Sequence, residues 1–156
     1  MAIEHVVSGP VIVTFDAVPL GYSRDGVRVE IAPRWLDVHS DDFGGEAGAP
    51  SDSQLMGAMA TITAELTKFD AALVAALTSF EESGTAGTLP TLGSFVRQSQ
   101  LAATLLLNGS IQDWTFATAF LRRPMDFNAG MRYQTWTMGW EAWIDAAATR
   151  VLLALA

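Results

Sequence analysis

The sequence predicts a mainly β protein, two packed antiparallel sheets in a sandwich or barrel, with one short flanking α-helix and one long loop. Three observations predict it. Apolar residues recur mostly at every second position, as half-buried antiparallel strands require. Helical spacing is confined to one short segment, and a stretch rich in Gly, Asp and Ser interrupts the pattern at positions 39–53.

Taken in order, Val11–Phe15 and Val18–Tyr22 are the first strand candidates. Asp25-Gly26 then stands between Leu20-Gly21-Tyr22 and the alternating run Val27–Ile31. An Asp-Gly pair between two strand-like runs predicts a tight β-hairpin, because Gly accepts positive φ without a Cβ clash. His39–Ser53, HSDDFGGEAGAPSDS, reads as a loop. Loops of that length are usually either functional or disordered. In Ala60–Lys68, Ala60, Ile62, Ala64 and Leu66 share a face, while Thr61, Thr63, Glu65 and Thr67 take the other.

Phe69, Leu73, Leu77 and Phe80 follow spacings of four, four and three, with Asp70 placed to cap and Gly84 beyond the end. This predicts an amphipathic helix over Asp70–Phe80. Glu81–Thr91 reads as a second loop. Gln98–Leu107 and Trp114–Leu121 are further strand candidates. Within Tyr133–Ile144, Trp136, Met138, Trp140, Ala142 and Ile144 alternate with Thr135, Thr137, Gly139 and Glu141. Trp143 is out of phase with Trp136 and Trp140, and an exposed Trp there suggests an interface.

Residues 146–156 end in Val151-Leu152-Leu153-Ala154-Leu155-Ala156. Chain ends are commonly polar. This one either tucks into the core of its own chain or docks on another subunit, which makes Val151, Leu152, Leu153 and Leu155 interface candidates.

Length and composition bound the function. A chain of 156 residues with half of them apolar is one domain, 1–156, large enough for a packed core. Seventeen acidic against nine basic residues give a formal net charge of −8. No basic stripe exists to make the many phosphate contacts on which nucleic-acid affinity depends. With no Cys, disulfides, thiolate catalysis and Cys-ligated zinc are excluded. The first residues lack a basic n-region, so no signal peptide is expected, and no apolar run approaches the ~20 residues of a membrane helix.

The residues offer little chemistry. His5 and His39 are the two histidines. His39, Asp41, Asp42 and Glu46 are oxygen and nitrogen donors on one loop, but their spacing matches no calcium or zinc motif, and a solvated acidic loop is the simpler reading. Gly21-Tyr22-Ser23-Arg24-Asp25-Gly26 departs from a nucleophile elbow at Asp25 and is better explained as turn chemistry. Asn108-Gly109-Ser110 reads as a turn rather than a glycosylation site, and Glu81-Glu82 as a solvated helix end. No catalytic residue, no cofactor site and no metal site emerges, and the chain is expected not to be an enzyme.

The segment Val18-Pro19-Leu20-Gly21-Tyr22-Ser23-Arg24-Asp25-Gly26-Val27-Arg28-Val29-Glu30 resembles the start of phage tail tube proteins. The likeness continues through the Asp-rich loop Asp37–Asp52, the strand Ala60–Thr67, the predicted helix Asp70–Phe80, and Phe120-Leu121-Arg122-Arg123-Pro124 with Tyr133–Ile144. It is a likeness of order and pattern over most of residues 7–145.

The resemblance implies two packed sheets, a flanking helix, and a long loop that contacts neighbouring subunits. It implies six copies closing into rings that stack as a tube, together with other tail proteins, in a virion tail assembled in the host cytoplasm. DNA would pass through an acidic lumen as cargo, and no membrane anchor is implied. The loop residues His39, Asp41, Asp42, Phe43, Gly44 and Gly45 then join Trp143 and the C-terminal leucines as assembly candidates. Glu30, Glu65 and Glu141, at polar-face strand positions, are candidates for the lumen or the outer wall. Related ring proteins of that fold (tail terminator, baseplate hub, type VI secretion tube) are the alternative. A small-ligand-binding β-barrel using Phe116, Trp136 and Trp140 is a second.

Overall fold

The computed structural model describes residues 10–69, 95, 102–109, 112–122, 126–129, 134–144 and 152–155. The expected helix over Asp70–Phe80 and the loop Glu81–Thr91 lie outside the described residues.

The period-two runs become strands because each places one side-chain row against its neighbours' rows. In chain order these are β1 (Val11–Phe15), β2 (Val18–Ser23), β3 (Val27–Val38), β4 (Asp52–Leu66), β5 (Lys68–Phe69), β6 (Ala103–Asn108), β7 (Asp113–Leu121), β8 (Asp126–Ala129), β9 (Gln134–Trp143) and β10 (Ala154–Leu155). All pairings are antiparallel. The hydrogen-bonded order is β3-β4-β9-β7-β6-β1-β2-β5, with β8 on β9 and β10 on β7.

That order closes on itself. Tyr22 pairs with Lys68, and Val27 pairs with Ala64. Thus β2 and β3 lie end to end along β4 and β5. The circuit β2/β3, β4/β5, β9, β7, β6, β1 returns to β2. The two separate sheets expected from the sequence are therefore a single sheet curled around one interior. Closure removes the edges that two open sheets would leave exposed.

The expected hairpin at Asp25-Gly26 is not a chain reversal. Between the Tyr22–Lys68 and Val27–Ala64 pairs, Ser23 to Gly26 oppose Glu65 to Thr67, so one strand carries an extra residue. This is a β-bulge, which bends a strand without turning it back. Gly26 has φ 86°, and the Ser23 hydroxyl donates to the Gly26 carbonyl at 2.5 Å. The Thr67 amide donates to the Tyr22 carbonyl at 2.9 Å and carries the ladder past the bulge. The Asp-Gly signal marked a positive-φ residue correctly, because a glycine-type bulge uses one as a tight hairpin does.

The tight reversal lies earlier. Phe15 pairs with Val18 across Asp16-Ala17, and both turn residues have positive φ, 51° and 62°. A two-residue turn of this hand matches the strand twist. The Asp16 amide also donates to the Thr104 carbonyl at 2.9 Å, which ties the turn to the chain beside β1.

Inward-facing rows fill the interior. Val13, Phe15, Leu20, Ala60, Ile62, Ala64, Leu66, Leu105, Leu107, Phe116, Ala119, Leu121, Met138, Trp140 and Ala142 form one buried cluster. Small and large residues alternate: Ala64 pairs with Met138, Ile62 with Trp140, and Ala142 with both Ala60 and Ala119. Phe15 and Trp140 meet with ring centroids 6.2 Å apart. Alternating volumes let rings from facing strands interdigitate at the density of a protein interior.

Two strands outgrow the barrel. Pairing of β4 with β9 stops at Met59–Trp143, whereas β3 and β4 stay paired out to Val38–Asp52. Residues 32–38 and 52–58 therefore form a two-stranded arm with no other described strand beside it. The expected loop 39–53 shortens to 39–51 and caps this arm. It contains two 3-10 turns, Asp41–Phe43 and Gly45–Ala47, with Gly44 between them at φ 91°. The Ser51 amide donates to the Val38 carbonyl at 2.8 Å and closes the tip.

Candidate assembly surface

The arm and its root in the barrel gather exposed apolar side chains. Ile31, Trp35, Leu36, Val38, Leu55, Met56 and Met59 are each 41–57% exposed. Strand register sorts them by face. Ile31, Pro33, Trp35 and Leu55 continue the row that faces the barrel interior, and Ala32, Leu36, Val38 and Met59 lie on the opposite face. Met56 sits at a second bulge, between the Arg34–Gly57 and Trp35–Leu55 pairs. A strand with one wet face alternates apolar and polar residues, whereas apolar residues on both parities mark a strand covered on both faces. At the arm's root, Ala32, Trp35, Met56, Met59, Trp143 and Ile144 line a groove.

Charge concentrates at the other end of the arm. Between Trp35 and Thr67 the sequence has no Lys or Arg, while Asp37, Asp41, Asp42, Glu46 and Asp52 cluster at or near the tip. The Ser53 hydroxyl donates to the Asp37 carboxylate across the two strands. His39, Asp41 and Asp42 are exposed and Gly45 half-buried. Among the described residues, no three His, Asp or Glu side chains converge as a metal site would require, and His39, Asp41, Asp42 and Glu46 are not brought together.

The acidic candidates share one face. Register places Glu30, Thr61, Glu141 and Phe120 in a single row across β3, β4, β9 and β7, on the outside of the barrel. Glu65, Thr137 and Asp126 form a parallel row across β4, β9 and β8. The Glu141 carboxylate accepts from Arg122 Nη1 at 2.6 Å and from Trp143 Nε1 at 2.7 Å. Trp143 stacks edge-on against Phe120, with centroids 4.6 Å apart. The out-of-phase Trp143 thus belongs to a small aromatic and ionic cluster on the outer wall, where Phe120 is buried outside the main core. Arg28 and Glu30 approach to 3.6 Å with both side chains well exposed, a pairing that screening leaves weak.

The C-terminal candidates divide. Leu152 and Leu153 pack against the core of their own chain, and β10 pairs with Trp114 and Thr115. Leu155 stays exposed. Val151 lies outside the described residues, as does the side chain of Phe43. Phe116 and Trp140, offered as walls of a ligand pocket, are wholly buried among core side chains, while Trp136 is half-buried against Phe69 at 5.8 Å.

The arm's stem is not among the elements expected from the sequence. Its signal was present in Ile31-Ala32-Pro33 and Trp35-Leu36, where apolar residues occupy both parities of a strand that first alternates. No helix among the described residues is long and apolar enough to cross a membrane.

No family model matches the chain, and no curated protein matches it. Among solved structures, the fold is similar to that of a chain from the virion of a native gene transfer agent particle. The identity is 11% and the TM-score 0.51, over 94% of this chain and 95% of that one.

Proposed function

We propose that this chain is a structural protein of a phage-like virion, and within it a subunit of the tail tube. The observation that carries the reading is the end-to-end likeness of fold to a chain of a gene transfer agent virion. The exposed apolar arm supports it, because an isolated two-stranded hairpin is marginal in water and gains from a partner.

In this reading copies close into rings, six to a ring, and the rings stack into a conduit for DNA alongside other tail proteins. Glu30, Glu65, Asp126 and Glu141 lie on one barrel face with Thr61, Thr63 and Thr137. On this wall of hydroxyls and carboxylates, Arg28 lies 3.6 Å from Glu30 and Arg122 pairs with Glu141, so nearby carboxylates compete with phosphate for both cations. Absent phosphate contacts mean little non-specific DNA affinity. The chain acts by assembly, with no catalytic step.

Negative-stain microscopy of the concentrated protein tests this. Stacked rings with a bore wide enough for one double helix are the expected result. Single unstacked rings would favour a terminator or hub role, and a protein that stays monomeric at high concentration would sink the reading.

A further inference from the structure

We propose that the groove at the root of the arm binds a small amphipathic anion, a single apolar chain ending in a carboxylate, with Arg34 holding the head group. The proposal goes beyond the assembly role and does not rest on it, because one chain supplies every residue of the site.

The site is made by the bulge in the arm. Arg34 pairs with Gly57 and Trp35 with Leu55, so Met56 is the extra residue on β4. A bulge bends its strand and re-aims side chains. Arg34 and Trp35, of opposite strand parity, thereby border one groove of about 640 Å³ together with Met59 and Trp143. That volume is within the usual range of a small-molecule site. The floor is low. Ala32 and Ala58 bring only methyl groups, and a Cβ added at Gly57 would meet no atom within 4 Å. The larger lining residues are two indoles, Trp35 and Trp143, and two thioethers, Met56 and Met59. Thioether side chains adapt to the shape of an apolar chain laid against them.

Charge selects the occupant. Arg34 is the one charged residue lining the groove, and among the described residues no carboxylate pairs with it. It also borders a second groove of about 370 Å³, with Trp35, Leu36 and Met56. The guanidinium therefore stands between two apolar troughs. Guanidinium and carboxylate match through two parallel hydrogen bonds. A neutral hydrocarbon would leave that cation unused, and a cationic amphiphile would be repelled by it.

Two further features exclude larger occupants. Asp37, Asp41, Asp42, Glu46 and Asp52 lie at or near the tip of the same arm, and their charge opposes approach to an anionic bilayer. Pro33 lies on β3, whose far edge has no described partner strand, and it has no amide hydrogen to donate. Proline on an edge blunts addition of an extended peptide. The ligand is therefore a free amphiphile rather than a membrane lipid or a polypeptide.

Titration calorimetry of the full chain with dodecanoate, kept below its micelle concentration, tests the proposal. Binding should be one to one, and dodecyltrimethylammonium should bind at least tenfold more weakly. Arg34→Gln should weaken dodecanoate about tenfold or more, the worth of a charge-assisted hydrogen bond. Ala32→Phe keeps the cation and fills the floor, and should weaken binding at least tenfold. Both positions are exposed, so far-UV circular dichroism and the thermal midpoint should stay those of wild type. As a second readout, 12-bromododecanoate should quench the tryptophan fluorescence, and should quench it less in Trp35→Phe.

Equal binding of the cationic amphiphile would show plain adsorption to apolar surface and overturn the proposal. So would both variants binding as wild type does. Binding to phosphatidylglycerol vesicles without binding of the free acid would assign the groove to a membrane instead. Failure of dodecanoate to bind, with tryptophan emission shifting to the blue as protein concentration rises, would assign it to a second copy. Either result would likewise overturn it.

Discussion

Gly21 touches the backbone of Lys68 so closely that an added Cβ would lie 2.3 Å from the Lys68 carbonyl oxygen and 2.8 Å from the Phe69 Cα. This is where β2 meets β5 and the sheet closes. A side chain at position 21 would have to push rigid backbone aside, because no flexible group is there to yield.

Gly21→Ala should accordingly destabilise the monomer by about 1–3 kcal/mol, the cost typical of overpacking. Urea denaturation measures it. A midpoint equal to wild type would mean that the β2–β5 contact opens without cost.

Ala17 holds a left-handed conformation with a Cβ present. That conformation costs an L-residue about 1–2 kcal/mol, part of which glycine recovers. Ala17→Gly should stabilise the fold by about 0.5–1 kcal/mol, read as a raised thermal midpoint. A lowered midpoint would contradict the turn geometry.

Trp140 fills the middle of the barrel, and its buried indole Nε1 has no hydrogen-bond partner among the described residues. Trp140→Ala should cost about 3–5 kcal/mol through the cavity it leaves. Trp140→Phe keeps much of the volume and removes the orphaned donor, whose burial costs about 1–3 kcal/mol. The two variants should therefore differ by at least about 2 kcal/mol in chemical denaturation, with Phe the milder.

Glu141 accepts hydrogen bonds from both Arg122 and Trp143, and its side chain is 13% exposed against 56% for Arg122. Glu141→Ala should cost about 1–2 kcal/mol, chiefly by leaving the indole donor without this acceptor. Arg122→Ala should cost less than about 0.5 kcal/mol, since exposed ion pairs contribute little. Equal losses from the two would show that the ion pair, not the indole, dominates.

Deleting Gly44–Pro50 removes most of the arm's tip without touching a core residue. The barrel should keep its thermal midpoint within a few degrees, because exposed loops add little burial. Assembly should weaken as the stem strands fray. Normal assembly by a folded deletion variant would exclude the tip from any role in holding the arm.

Much of the fold was legible in local patterns. Alternation in Ala60–Leu66 and Trp136–Ala142 placed those strands and sorted core from surface, since period two fixes which face each residue takes. Asp25-Gly26 shows the limit of such patterns. The pair correctly announced positive φ, yet a glycine-type bulge and a tight hairpin both accept it, and the choice depended on which strand lay beside Tyr22. The outer-wall cluster was illegible for a similar reason. Phe120, Arg122, Glu141 and Trp143 come from two strands and meet only through their register.

The sequence by itself determined the β character, the inward rows, the acidic balance and the absence of thiol chemistry, all of which follow from residue type and spacing. Tertiary structure decided that the strands form one closed circuit, that Glu30, Glu65 and Glu141 share a face, and that Ala32–Val38 leaves the barrel as an arm. The physical reason is that pairing is non-local. A strand's own residues set which way its side chains point, but its neighbours decide which of those side chains meet water.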